Sequence, residues 1–149
     1  MFRTYGCAIV VALLATGAAA GCGGDDEEPL SKAEYIKQGD AICKKANAEL
    51  EREAEEMFRD LGSNERPSEE QLSTFVEDLI KPKIQGQVDD LRELSPPEGD
   101  EETVNAIYEK VEEGLSKVEG DPQLLLSDDD PLQPATDAAA DYGFKDCSE

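Results

Sequence analysis

Residues 31–62 read SKAEYIKQGDAICKKANAELEREAEEMFRDLG. Within them Ile36, Cys43, Ala46, Leu50, Ala54, Met57 and Leu61 recur at steps of three, four or seven, which puts them in one stripe on a helix of 3.6 residues per turn. Ser31 and Glu34 have capping-box spacing at the start, where a serine hydroxyl accepts the N3 amide and the glutamate reaches back to the N-cap amide. Gly62 stands where a C-terminal glycine belongs, so the stretch predicts a helix that runs to Leu61. Cys43 falls on the stripe. A helix with one apolar face must bury it against other elements, and the rest of the chain supplies them.

Downstream, Ser68 and Gln71 repeat the capping box, and Leu72, Phe75, Val76, Leu79, Ile80, Ile84, Val88, Leu91 and Leu94 follow at helical spacing until Ser95-Pro96-Pro97. Pro82 interrupts that run. Its missing N–H cannot bond the carbonyl of Asp78, so the segment is expected to kink or split there. A third helix is read from Val104, Ile107, Tyr108, Val111, Leu115 and Val118, between Gly99-Asp100 and Gly120-Asp121-Pro122. The last is short, Pro134 to Tyr142, with Gly143 as its C-terminal glycine and Phe144 placed to fold back on Ala139. No alternating run is long enough for a strand. Together these signals predict an all-α fold, a small antiparallel bundle of about four helices. Leu124-Leu125-Leu126 are expected to plug one end of it, ahead of an acidic turn, Ser127-Asp128-Asp129-Asp130.

Upstream, Arg3 precedes an apolar run from Cys7 to Ala20, and Gly23-Gly24-Asp25-Asp26-Glu27-Glu28-Pro29 follows abruptly. That is the layout of a secretory signal peptide, and the run is shorter than the ~20 residues of a spanning helix. Ala19-Ala20-Gly21-Cys22 resembles the lipobox of bacterial lipoproteins, in which the cysteine is diacylated and becomes the mature N-terminus. Alanine stands where that motif usually carries leucine, and ordinary cleavage after Ala18-Ala19-Ala20 also satisfies the small-residue rule. Cysteine parity separates the two. Processing removes Cys7; lipidation then consumes Cys22 and leaves Cys43 and Cys147 as a pair, whereas ordinary cleavage leaves three cysteines in an oxidising compartment. The expected organisation is a signal peptide at 1–21, a lipidated cysteine and acidic tether at 22–30, and a helical domain at 31–149 stapled by a Cys43–Cys147 disulfide.

Composition narrows the function classes. The chain of 149 residues has 36 acids, 14 bases, no histidine and a net charge of -22; loss of Arg3 with the signal peptide makes it -23. Such a surface repels nucleic acid and anionic headgroups, so no nucleic-acid partner is expected, and the domain should stand off the membrane that its lipid holds. Without histidine, and with the two domain cysteines paired, Ser-His-Asp and Cys-His catalysis and His/Cys zinc sites are excluded. No catalytic residue, metal or cofactor is assigned. Asp128-Asp129-Asp130 and Asp25 to Glu28 lack the spacing and glycine of an EF-hand loop, and solvated charge is the simpler reading of both.

Asp40 and Asn47 lie one heptad apart on the flank of the buried stripe. They are either polar contacts in a ligand cleft between helices or hydrogen-bonding groups for neighbouring backbone.

At the level of the domain, Ala41-Ile42-Cys43-Lys44-Lys45-Ala46-Asn47, Leu91 to Pro97, and Tyr142-Gly143-Phe144-Lys145-Asp146-Cys147 resemble small lipoproteins of high-GC actinobacteria. That resemblance implies the two-cysteine helical architecture and no particular activity. The expectation is a non-enzymatic, lipid-anchored extracytoplasmic domain that acts by binding or interaction. A helical bundle that binds a small ligand or calcium is the alternative, and a carboxylate-dependent enzyme the remote one. An exposed apolar patch would favour a protein partner; an interhelical cavity would favour a ligand.

Overall fold

The computed structural model describes residues 29–62 and 65–148; the expected signal peptide, Cys22 and the expected acidic tether up to Glu28 lie outside them. Helix α1 spans Lys32–Met57, and its capping box is formed, with the Ser31 side chain accepting from the Glu34 amide and Glu34 answering the Ser31 amide. The helix ends one turn earlier than its periodicity predicts. Phe58 leaves the helical path, Leu61 closes a turn onto Phe58, and Gly62 is not the cap. Met57 is 41% exposed, so the stripe extends past the point where anything packs against it. Its buried centre is also displaced: Tyr35, Gly39 and Cys43, spaced by four, are buried, while Ile36 flanks them.

The second segment does not split at Pro82; it stays one helical run with a π-helical turn just before the proline. Helix α2 (Glu69–Phe75) begins with its capping box, a π-helical turn covers Val76–Ile80, and α3 (Lys81–Arg92) follows. Within the π turn the Lys81 amide reaches back to the Val76 carbonyl, five residues away. The wider turn carries the chain past the proline without breaking the helical path. Helix α4 spans Glu101–Gly120 and α5 Gln133–Tyr142, with 3-10 turns at Pro122–Leu126 and Asp146–Ser148. No strand is present among the described residues.

Cross-helix pairs fix the packing as antiparallel. Lys83 on α3 meets Glu49 and Glu53 on α1, at 3.3 and 2.9 Å, while Leu91 at the other end of α3 lies beside Gly39. Lys81 pairs with Glu119 at 3.0 Å and Arg92 with Glu112 at 2.6 Å, which aligns α3 against α4. At opposite ends of α4, Asp100 accepts from the Tyr142 hydroxyl at 2.9 Å, and Gly114 lies against Pro131 and Leu132. The Gly114 contact needs glycine: a Cβ there would come within 2.6 Å of the Pro131 carbonyl oxygen.

Two groups of buried residues hold the bundle. Tyr35, Cys43, Leu91, Ile107, Tyr142 and Phe144 belong to the larger, at the disulfide end. Leu72, Val76, Leu79, Leu115 and Val118 are buried towards the other. There Leu124 and Leu125 are half-buried and the 3-10 turn that carries them packs on α2 and α4, as a plug should, but Leu126 is 46% exposed and takes no part.

The chain's end returns to its beginning. Gly143, at φ 119°, terminates α5 in a Schellman motif, with its amide on the Ala140 carbonyl at 3.0 Å and the Phe144 amide on Ala139 at 3.0 Å. The motif turns Phe144 inwards onto Tyr35 and Tyr142, ring centroids 5.9 and 5.3 Å away. Cys147 then bonds Cys43, Cα atoms 5.0 Å apart. Residues 144–148 thus form a strap from α5 to α1.

Candidate functional site

The strap is held by the two polar residues on the flank of α1. Asp40 Oδ1 accepts the amides of Lys145 and Asp146, at 2.9 and 3.0 Å, and Asn47 Nδ2 donates to the Asp146 carbonyl at 2.9 Å. The pair, on either side of Cys43 along α1, therefore fastens the strap backbone at Lys145 and Asp146, just before Cys147.

Beneath the strap, between α1, α3, α4 and α5, lies a cleft of about 190 Å³. Its deep wall is apolar and buried: Cys43, Leu91, Ile107, Tyr108 and Phe144 line it. The mouth is formed by half-buried residues, with Asn47 and Leu50 from α1, Ile84 and Gln87 from α3, and Leu132 and Thr136 beside them. Asp40 is not among the lining residues. Of the two residues singled out in the sequence, the structure brings Asn47 to the cleft and leaves Asp40 outside it, spent on the strap.

The cavity exists because α5 is made of small residues. Ala135 and Ala139 are the buried residues that α5 presents to it, where leucines would fill the volume, and close packing at Gly114 keeps α5 tied to α4 rather than moving across to α1. α1 and α5 are bridged chiefly by the strap.

No charged side chain lines the cleft. Its two cysteines are bonded to each other, so it holds no free thiol, and no lining residue is a histidine or carboxylate that could act as a base. The lining offers apolar contacts and the neutral polar groups of Asn47, Gln87, Tyr108 and Thr136. At its floor the Tyr108 hydroxyl meets that of Tyr35 at 2.7 Å. Burial, above all, pushes both phenols above the usual tyrosine range, since an ionised oxygen there would lose its water.

That pair makes a clear prediction. Tyr35→Phe or Tyr108→Phe alone orphans one buried hydroxyl and should cost about 1–3 kcal/mol, whereas the double Phe variant orphans none and should recover most of the loss. Denaturant unfolding of the three variants measures it, and additive single effects would contradict the pairing. The pH dependence follows from the raised pKa values. Stability is fully present below about pH 10, where the unfolded tyrosines ionise, and falls above it because the folded ones resist ionisation. The double Phe variant should lack that part of the alkaline fall.

Elsewhere, no group of three potential metal ligands is present among the described residues. In the acidic turn Asp130 Oδ1 accepts the Leu132 amide at 2.9 Å and the Asp129 carbonyl accepts the Ser127 hydroxyl at 2.9 Å, so part of the turn is engaged in its own backbone. Met57 and Leu126 are the exposed large apolar residues among those described; they are single residues on different elements and form no patch.

No protein-family model matches the chain, and comparison with curated proteins and with solved structures gives no match either. No described helix is long and apolar enough to cross a membrane.

Proposed function

We propose that the chain is a lipid-anchored extracytoplasmic binding domain that holds a small, largely apolar molecule in the cleft under its strap. The cleft carries this reading: it is apolar, interhelical and fringed by a few polar groups, as small-molecule sites are. Its size sets the ligand. About 190 Å³ is near the ~150 Å³ of a dry engineered cavity that accepts benzene, and below the ~300–1,000 Å³ of drug-sized sites, so one ring or a short alkyl chain fits. The address rests on the small-residue site before Cys22, and the pairing of Cys43 with Cys147 supports it by leaving Cys22 for the lipid. A flat protein-docking surface has less in its favour, because the exposed large apolar residues are isolated.

Fluorine NMR with fluorobenzene tests the reading on the full chain in detergent. Saturable binding is expected for the wild type. Ala139→Leu, which fills the cleft from α5 with an apolar side chain, should abolish it while the chain still melts cooperatively. Non-saturable uptake that is the same for both chains, the behaviour of a probe dissolved only in the micelle, would sink the proposal.

A further inference from the structure

Resting on the cleft as a small-molecule site, a count of its polar groups identifies the kind of molecule. Tyr108 is paired with Tyr35. Thr136 donates its hydroxyl proton to the Leu132 carbonyl at 3.3 Å. Asn47 commits one of its two amide N–H groups to the Asp146 carbonyl in the strap, which leaves its oxygen and one N–H to offer at the mouth. Gln87, one helix across on α3, has no side-chain hydrogen-bond partner among the described residues. Its amide provides both a donor and an acceptor.

We infer that Gln87, with Asn47, selects neutral ligands: small molecules with an apolar body and a single uncharged hydrogen-bonding head, of the phenol, alcohol or primary-amide class. The apolar body enters between the buried walls and the head stays at the half-buried mouth. A carboxylate is rejected on two counts. No cation lines the cleft to offset its desolvation, and the surrounding domain is strongly acidic. An ammonium head would find acceptors but no carboxylate beside it, so it gains no charge-assisted bond in exchange for lost water. A head that both donates and accepts is favoured, since Asn47 and Gln87 each offer an oxygen and an N–H and Thr136 adds lone pairs.

The test compares fluorobenzene, 4-fluorophenol and 4-fluorobenzoate on the full chain by fluorine NMR, with affinities referred to free probe. The wild type should bind 4-fluorophenol about three- to tenfold more tightly than fluorobenzene, the range of one net hydrogen bond, and should bind 4-fluorobenzoate most weakly. Gln87→Leu, close to glutamine in size, should keep fluorobenzene binding and lose the preference for the phenol. Gln87→Lys should raise 4-fluorobenzoate affinity above the wild-type value. Equal binding of phenol and fluorobenzene by wild type would overturn the head-group inference while leaving the cleft as a site. An unchanged phenol preference in Gln87→Leu would overturn the assignment to Gln87, and tightest binding of 4-fluorobenzoate would overturn the neutral class. Failure of all three probes would remove the cleft reading itself.

Discussion

Reduction of the Cys43–Cys147 bond, or Cys147→Ser, should lower the melting temperature by roughly 15–20 °C. The bond closes a loop with a sequence separation of 104. For a loop of about 100 residues the chain-entropy estimate is about 4.7 kcal/mol, a large share of the roughly 5–15 kcal/mol available to a domain. At roughly 4 °C per kcal/mol for a domain of this size, that gives the stated shift. The strap should not detach completely. Asp40 and Asn47 still hold its backbone, and Phe144 is still buried against Tyr35, so the reduced protein should remain helical at room temperature. Thermal melts with and without a dithiol reductant, read by circular dichroism, measure the difference; coincident curves, or peptide mapping that finds both thiols free in the untreated protein, would refute it.

Cys22→Ser should either move the protein from the membrane fraction to the medium or leave an unprocessed precursor. Each buried acyl methylene contributes about 0.8 kcal/mol to membrane binding, and two chains give the stable anchoring that one does not. The acidic surface adds no compensating attraction to anionic headgroups, so without the lipid nothing retains the domain. Cell fractionation and intact-mass measurement of both forms check this. A wild-type mature chain that starts at Gly21 without lipid would show ordinary cleavage instead.

Much of the fold is legible in local signals. The capping boxes at Ser31 and Ser68 and the Schellman turn at Gly143 each depend on residues within one or two turns, and each is formed as its spacing predicts, while Pro82 is absorbed by a π turn rather than a split. What is missed depends on distant parts of the chain. The α1 stripe reads through to Leu61, but Phe58 pairs with Phe75 at 5.1 Å and the chain turns there, beyond the reach of periodicity. Gly39 reads as a weak point in a helix. It is buried because the Phe144 ring lies over it, where an added Cβ would clash. A glycine four residues from both Tyr35 and Cys43 was the available signal.

The candidate site divides the same way. Asp40 and Asn47 stand out by their position beside the buried stripe, yet which groups they bond is decided by a segment about 100 residues away. The cleft itself has no motif. It is the volume that Ala135 and Ala139 fail to fill, and small residues in a helix look like good helix formers until their neighbours are known. Gln87 is equally silent in the sequence, a single polar residue between Gly86 and Val88.

The staple also decides how the molecule bears a load. Residues 43–147 form a covalently closed ring that contains all of α2, α3, α4 and α5. A pull on the N-terminal end, where a membrane tether would transmit drag from anything bound to the domain, therefore runs through residues 31–43 and then into the disulfide. Those residues can lengthen to roughly 45 Å when stretched. Beyond Cys43 the two arms of the ring share the load, so residues 31–43 are the part that a pull can draw out as a single strand while the bond is intact.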